Sequence, residues 1–569
     1  MSVTDRAQDP YAARPWTKSY PPESPADIDC DKLASLVDVF KKATRDYAQR
    51  PAFESFGAVL TYAELDTAAQ AVASWLQAQG VEKGDRIAIM APNVMAYPAV
   101  IFGILMAGGV VVNVNPLYTP HELQHQISDS GAKMVFVLEN FAHTVAAVWP
   151  ELALDHAIIV SPGDLLRFRG VVVNAVSRYV KCAVPKFRIP ESTPFSQVLA
   201  EGRKRPLQPT SVSRDDVAFL QYTGGTTGVA KGAVLLHRNL TANVAQAASW
   251  LDGILGAGPH VMVAALPFYH IFGLTCCCVL VLSIGAKGLL IANPRDIAGF
   301  TRILRGSPFT MFSGVNTLYA ALMENADFRA LDFSRMGFCI SGGMATQDVV
   351  AKRWKQLTGR TIIEGYGLSE TSPIVTINRP DLAEFSGAIG YPVASTEISI
   401  RNDDGAPAPQ GERGELWVRG PQVMQGYWNR PDETATAMDA DGFFHTGDVA
   451  VMAPDGLVKI VDRLKDMILV SGFNVYPNEV ENVLTQHPKV KEAAVIGVPS
   501  EHSGEAPVAF VVRRDPSLTA EELRAFAHET LTSYKVPRIY EFRDELPKTN
   551  VGKILRRVLR EEYLAREKV

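Results

Sequence analysis

The sequence predicts an α/β protein in two parts. A large N-terminal part, residues 1–462, consists of layered sheets and helices, and a small α+β unit occupies residues 463–569. Three observations carry this reading. Stretches with helical apolar spacing, such as YAELDTAAQAVASWLQAQG (62–80), precede short β-branched runs, such as RIAIMAP (86–92). Alternating helices and strands imply mainly parallel sheets, which bind ligands at loops beyond their strands. Glycine-rich segments sit in that position: YTGGTTG after VAFLQ, SGG (341–343) after MGFCI and GYG (365–367) after TIIE. After about residue 462 the texture changes, and VDRLKD (461–466) is the expected joint.

The elements follow in order. The opening MSVTDRAQDPYAARPW has mixed charge and no apolar core, so no signal peptide is expected. Met90 to Tyr118 holds Pro92, Asn93, Pro98 and Gly108-Gly109, and reads as a short buried helix turning into a strand. VFVLE (135–139) and AIIVS (157–161) continue the strand pattern. Val261 to Ala286 is interrupted by Pro267, Tyr269 and His270. A spanning helix needs about 20 continuous apolar residues, so neither uncharged stretch predicts a membrane span. The C-terminal unit has its own strands, AAVIGV (493–498) and VAFVVRR (508–514), and a helix in SLTAEELRAFAHETL (517–531).

Composition limits the function classes. The 569 residues are 47% apolar and 21% charged, ordinary for a globular protein. A net charge of −5 gives no reason to expect nucleic acid as a partner. Six cysteines, three of them consecutive at 276–278, fit no paired zinc spacing and predict reduced core thiols in a cytoplasmic protein. One segment stands apart. DLLRFRGVVVNAVSRYVKCAVPKFRIP (164–190) has six basic residues and one acidic residue, with apolar spacing at Val172, Val176, Tyr179 and Ala183. It reads equally as a surface helix packed on the large part and as a basic amphipathic helix resting on the inner face of a membrane, with Arg178 and Lys181 toward headgroups.

QYTGGTTGVAKG (221–232) carries the first chemistry. Glycines let a backbone turn its N–H groups inward as an anion nest, threonine hydroxyls add donors, and Lys231 adds a point charge. The natural cargo is a polyphosphate. Taken alone, the run also reads as a plain surface loop, and it lacks the GK[ST] of a Walker A loop.

It is not alone. Together with LPFYHIFGL (266–274), EGYGLSETSP (364–373), FHTGDVA (444–450), VDRLKDMILVSGFNVYPNEVE (461–481) and PKTNVGKILRR (547–557), it resembles the adenylate-forming superfamily of acyl-CoA synthetases. The motifs occur in the family's order from about residue 40 to 560. NVNPLYTPHEL (113–123) makes the resemblance closest to bacterial long-chain fatty-acid–CoA ligases. The resemblance implies a mobile C-terminal domain and an ATP-dependent activation of a fatty acid to acyl-AMP, followed by transfer to CoA.

It also implies roles. Thr223, Gly224, Gly225, Thr226, Thr227, Gly228 and Lys231 would cradle the β- and γ-phosphates. Gly342, Gly343, Gly365, Tyr366 and Gly367 would bound the adenine, Thr371 would touch the α-phosphate, and Glu370 would hold Mg²⁺. Asp448 and Arg463 would bind the ribose. Lys553 would bridge the α-phosphate and the substrate carboxylate, with His270 orienting the latter. Phe268, Tyr269 and Phe272 would line the acyl pocket, with Leu274 or its neighbours where some relatives carry an aromatic gate. The small domain would pivot in the segment Arg463–Lys465, at Lys465, bringing Ser471, Gly472 and Phe473 to the CoA channel. Relatives also suggest a homodimer. Two other readings are a medium-chain or aryl acid ligase or acyl-AMP-forming module of the same superfamily, and a membrane-associated, nucleotide-sensing lipid-binding protein. Against a carrier-loading module, the chain runs only 16 residues past Lys553.

Overall fold

The helix Tyr62–Ala78 begins where Thr61 and Glu64 cap each other, hydroxyl to backbone and carboxylate to backbone. The same reciprocal cap opens Leu36–Asp46 through Ser35 and Asp38, and Pro120–Ser130 through Thr119 and Glu122. The computed structural model describes residues 9–567 apart from 33, 191, 224–229, 252–253, 256–257, 472, 501–502 and 550–551. Within them the α/β reading is borne out.

Two large sheets form the N-terminal part. One has eight strands in the order Gly426–Tyr427, Lys231–Leu236, Val217–Thr223, Val110–Val114, Arg86–Met90, Met134–Leu138, His156–Val160 and Ser192–Pro194. The other has nine, running from Tyr391–Pro392 through Ile374–Ile377, Ile363–Gly367, Phe338–Ser341, Met311–Gly314, Val261–Ala264 and Lys287–Leu290 to Pro51–Ser55 and Ala58–Thr61. Interior pairs such as Arg86–Met90 with Val110–Val114 are parallel, and antiparallel strands close the edges except at Ser192–Pro194, which pairs parallel. Helices cover both faces, so the interior strands are buried throughout, which explains their unbroken β-branched runs. Every residue of the helix Ala96–Met106 is buried. It is the uncharged stretch of the sequence made into core. Among the described residues no helix is long and apolar enough to cross a membrane.

A third, four-stranded antiparallel sheet ends with Phe444–Met452 beside Val458–Arg463. The chain then makes one tight turn, Leu464–Asp466, and enters a different sheet at Ile468–Val470. That sheet has five strands over its own apolar core, which includes Ile468, Val480, Leu484, Val511 and Leu523. Polar contacts cross the junction. Asp462 Oδ2 accepts from the Asn478 N–H at 2.7 Å, and its Oδ1 lies 3.9 Å from Arg556, which within the small unit donates to Asp466 at 3.1 Å and Glu481 at 2.7 Å. The sheet of the small unit is mainly antiparallel, with Ile539–Arg543 added parallel to Gly504–Arg513, so runs of successive parallel strands belong to the large part.

Candidate active site

A cavity of about 1350 Å³ opens at the C-terminal ends of the parallel strands, between the two parts of the chain. Its floor is positioned by a buried relay. Tyr97 donates to Asn113 Oδ1 (2.9 Å), Asn113 to Gln221 Oε1 (3.0 Å) and Gln221 to the Tyr269 carbonyl (2.9 Å). The relay ties two strand ends to the turn that presents His270.

Thr223 and Lys231 stand on one wall of this cavity; Gly224, Gly225, Thr226, Thr227 and Gly228 lie outside the described residues. The Lys231 ammonium pairs with Glu433 and lies 5.4 Å from the centre of the Tyr427 ring. Tyr427 in turn donates to Glu370 Oε1 at 2.8 Å. Glu370 is buried on the cavity wall, and burial pushes its carboxyl above the usual range. Among the described residues no cluster of three metal-ligating side chains occurs. Magnesium does not need one, since it is commonly held by one carboxylate, water and substrate phosphates. The buried Glu370 carboxylate on the cavity wall fits that donor set.

Thr371 departs from its expected role. Its hydroxyl donates to the Pro373 carbonyl, with the Leu368 carbonyl as a second acceptor within reach, accepts from the Leu368 N–H at 3.0 Å, and does not line the cavity. The hydroxyl is engaged with its own loop.

Gly342 and Gly343 follow the strand Phe338–Ser341 as expected, and Gly343 takes φ +77°, where a side chain would be strained. The GYG segment is not a loop. Gly365, Tyr366 and Gly367 extend the strand Ile363–Gly367 and pair antiparallel with Ile374–Ile377. A Cβ on Gly367 would run into the Pro373 carbonyl, which is why the strand can turn back there. Tyr366 reaches across the cavity edge and donates to Asp448 Oδ2 at 2.5 Å, while Arg463 Nε meets Asp448 Oδ1 at 3.0 Å. Asp448 and Arg463 are direct partners in the antiparallel ladder, so residues 15 apart in sequence are locked side by side.

His270 caps the helix Ile271–Leu274, its Nδ1 accepting the Phe272 N–H at 3.3 Å. The ring proton therefore sits on Nε2. Burial, reinforced by the nearby Lys553 ammonium, pushes the imidazole down to about 4, so it is neutral at pH 7 and serves as a hydrogen-bond donor. Lys553 comes from the small unit on a tight loop closed by the Lys548–Ile554 bridge and by Thr549 Oγ1 accepting from the Lys553 N–H at 3.1 Å. Gly552 takes φ +86° against Thr317 of the large part, a spot with no space for a Cβ. Burial first, then Arg463, lowers the Lys553 amine to about 8.

Tyr269 and Phe272 line the cavity, but Phe268 does not. Asn93 grips the backbone here, donating to the Ala264 and Leu266 carbonyls and accepting the Phe268 N–H at 2.8 Å. This points Phe268 into the core, 5.8 Å from the Tyr97 ring and 6.2 Å from Phe53. Leu274 is also buried off the cavity, and Ile271 lines it instead. Cys276, Cys277 and Cys278 lie in a widened helical turn, Thr275–Val279, as buried free thiols.

Comparison with known proteins fits this geometry. The AMP-binding enzyme model matches residues 40–428, and the AMP-binding enzyme C-terminal domain matches 479–553. The chain belongs to the AMP-binding enzyme family. A long-chain-fatty-acid–CoA ligase of Yersinia pestis is 52% identical over 549 residues, covering 96% of this chain and 98% of the relative. One of Salmonella typhi is 51% identical over 556 residues, covering 97% and 99%. Among solved structures, the anthranilate CoA ligase AuaEII in complex with anthranoyl-AMP superposes with a TM-score of 0.84 at 25% identity, covering 95% of this chain and all of that one.

For a member of this family, the conformation is informative. Lys553 and Lys465 border the cavity, whereas Ser471 and Phe473 do not. The Phe473 ring is 56% exposed and stacks on Tyr534 at 4.8 Å; Gly472 lies outside the described residues. The site therefore brings together the lysine expected for adenylation and leaves out the segment expected for CoA.

Sequence reasoning missed Tyr427, Glu433 and Asp129. Asp129 accepts from Tyr222 at 2.6 Å and Arg430 at 2.8 Å, joining the strand below the phosphate wall to the helix that carries Glu433. None sits in a glycine-rich or charged motif. The one available signal was the proline and two acids, Asp432 and Glu433, that mark the first turn of Pro431–Ala437.

The Tyr366–Asp448–Arg463 arrangement makes a sharp prediction. Asp448→Ala will raise KM for ATP about 10- to 100-fold, as expected for losing charged hydrogen bonds worth about 1.5–3 kcal/mol. KM for the acid will hardly move. Steady-state titration of each substrate checks it, and an unchanged KM for ATP removes Asp448 from the ribose site.

Proposed function

We propose that the protein is an AMP-forming long-chain fatty acid–CoA ligase working in the cytoplasm, where ATP and CoA are drawn. The observation that carries this reading is the placement of Lys553. The partly buried Lys553 ammonium, from the small unit, enters the same cavity as Tyr366, Arg463 and the neutral His270, with Asp448 held behind the wall by Tyr366 and Arg463.

A carboxylate is a poor acyl donor because oxide does not leave. In the first step a carboxylate oxygen attacks the α-phosphorus, the bond to the β-phosphate oxygen breaks, and pyrophosphate departs. The barrier is two anions pressed together, and Lys553 offsets that repulsion. His270 Nε2–H orients the carboxylate, Asp448 and Arg463 hold the ribose, and Lys231 exchanges Glu433 for the departing phosphates. Glu370 would hold Mg²⁺, which when bound would supply positive charge against the phosphates. In the second step the unit 463–569 turns about Lys465, withdraws Lys553 and brings the segment around Ser471 to the cavity. The CoA thiol gives its proton to water, its sulfur bonds to the acyl carbonyl carbon, and the bond from that carbon to the phosphate oxygen breaks, so that AMP leaves.

The test is pyrophosphate release with palmitate, with and without CoA, alongside acyl-CoA formation across fatty acids of increasing length. Steady palmitoyl-CoA formation, falling for short acids, is expected. Pyrophosphate without thioester would indicate a module that stops at acyl-AMP. Silence with every acid would sink the ligase reading.

A further inference from the structure

The segment 164–190 inverts the usual surface helix. Its polar groups hold it to the body. Asn174 Oδ1 accepts from the Gly163 N–H at 2.7 Å, and Asn140 donates to the Ala183 carbonyl at 2.8 Å. Arg178 donates twice to Glu139, at 2.6 and 2.9 Å, and once to Ser161 at 3.0 Å. Arg178 is thus an anchor facing inward, not the headgroup contact its sequence position suggested. The helix Phe168–Ala175 and the wider turn Val176–Val180 instead direct apolar side chains to solvent. Phe168 and Tyr179 are each 78% exposed, Val180 75%, Val171 73% and Val172 62%.

A second segment joins them. Arg169 donates to the Phe56 carbonyl at 3.2 Å, which sets the turn between the strands Pro51–Ser55 and Ala58–Thr61 beside the helix. Phe56, at the tip, is 50% exposed. Single exposed apolar residues are ordinary, but a contiguous apolar face rimmed by charge marks an interaction surface. The rim is mainly basic, although Arg167 and Arg178 are paired with Glu64 and Glu139. Residues 164–190 carry six cations and one acid, and Lys181, Lys186 and Arg188 are all exposed.

We propose that this face seats the enzyme on an anionic lipid bilayer, with Phe168, Val171, Val172, Tyr179 and Val180 dipping below the headgroups and the three cations on lipid phosphates. Apolar insertion and basic charge are two weak signals that together give reversible membrane binding. The choice of lipid over protein rests on charge complementarity and on the fatty-acid reading above, since long-chain acids partition into bilayers.

The experiment is flotation of the full chain with phosphatidylcholine–phosphatidylglycerol vesicles and with phosphatidylcholine alone, at low and high salt. The unmodified protein should float with the anionic vesicles, less so at high salt. Phe168→Ser with Val180→Ser should weaken that binding by more than about tenfold, because each buried methylene adds to partitioning. Lys181→Glu with Lys186→Glu should abolish the preference for anionic vesicles. A fluorophore on Cys182, the one exposed cysteine among those described, should move to a less polar setting when vesicles are added. Both double variants should keep full thioester formation from a fatty acid dispersed as monomers. Loss of that activity in the unmodified protein would count against the ligase reading, not against the docking face. Absence of flotation, variants that float unchanged, or apolar variants that only convert a dimer to monomer would each overturn the proposal.

Discussion

Lys553→Ala will slow acyl-adenylate formation by about 10²–10³-fold and largely spare thioester formation from acyl-AMP supplied ready-made. The estimate follows from charge. At about 4 Å and an effective dielectric near 20, one ammonium offsets about 4 kcal/mol of repulsion, about three powers of ten in rate. Arg463 does not replace it, because that guanidinium is already engaged with Asp448. The amine's position at about 8 adds a pH signature. Adenylation needs the charged form, which predominates below that value, so kcat/KM for ATP should fall as pH rises through about 8. His270, down at about 4, stays neutral across that range and contributes no second inflection. Single-turnover formation of acyl-AMP and its pH profile measure both. If acyl-AMP forms at the normal rate in Lys553→Ala, the electrostatic account of the first step is wrong.

Lys465→Pro will leave that first step within a few fold and cut thioester formation by about 10²-fold, the scale of loss when reacting groups are misplaced by about 1 Å. Lys465 lies in the single turn Leu464–Asp466 between two sheets. Proline fixes φ near −65°, which a 3₁₀ turn already uses, so the arrangement seen here should persist. What proline removes is the change of torsion that would carry Ser471 inward and Lys553 outward. Pyrophosphate release without CoA and acyl-CoA formation from preformed acyl-AMP separate the two steps. Equal loss in both would mean that the turn is merely structural; loss in neither would mean that the unit pivots elsewhere.

The chemistry-bearing loops were legible because their residue types have few other uses. Glycine at 343 and 552 meets positive φ that other residues resist, and Lys231 and Lys553 follow turn-forming stretches that project a lysine. The fold class was legible for the same kind of reason, since buried parallel strands need unbroken apolar runs while the helices between them do not. Side-chain direction was not. LPFYHIFGL contains three aromatics that look alike in sequence, yet Asn93, more than 170 residues earlier, turns Phe268 into the core and leaves Tyr269 and Phe272 on the cavity.

The sequence by itself thus determined the layered α/β architecture, the order of the motifs and the residues able to carry charge to a phosphate. Only the tertiary structure decided which of them meet. It paired Asp448 with Arg463 and Tyr366, gave Lys231 a resting partner in Glu433, folded the Thr371 hydroxyl back on its own loop, and turned the apolar side of 168–180 outward. The physical reason is that backbone preference and residue chemistry are local properties, whereas burial and pairing depend on what the rest of the chain places within a few ångströms.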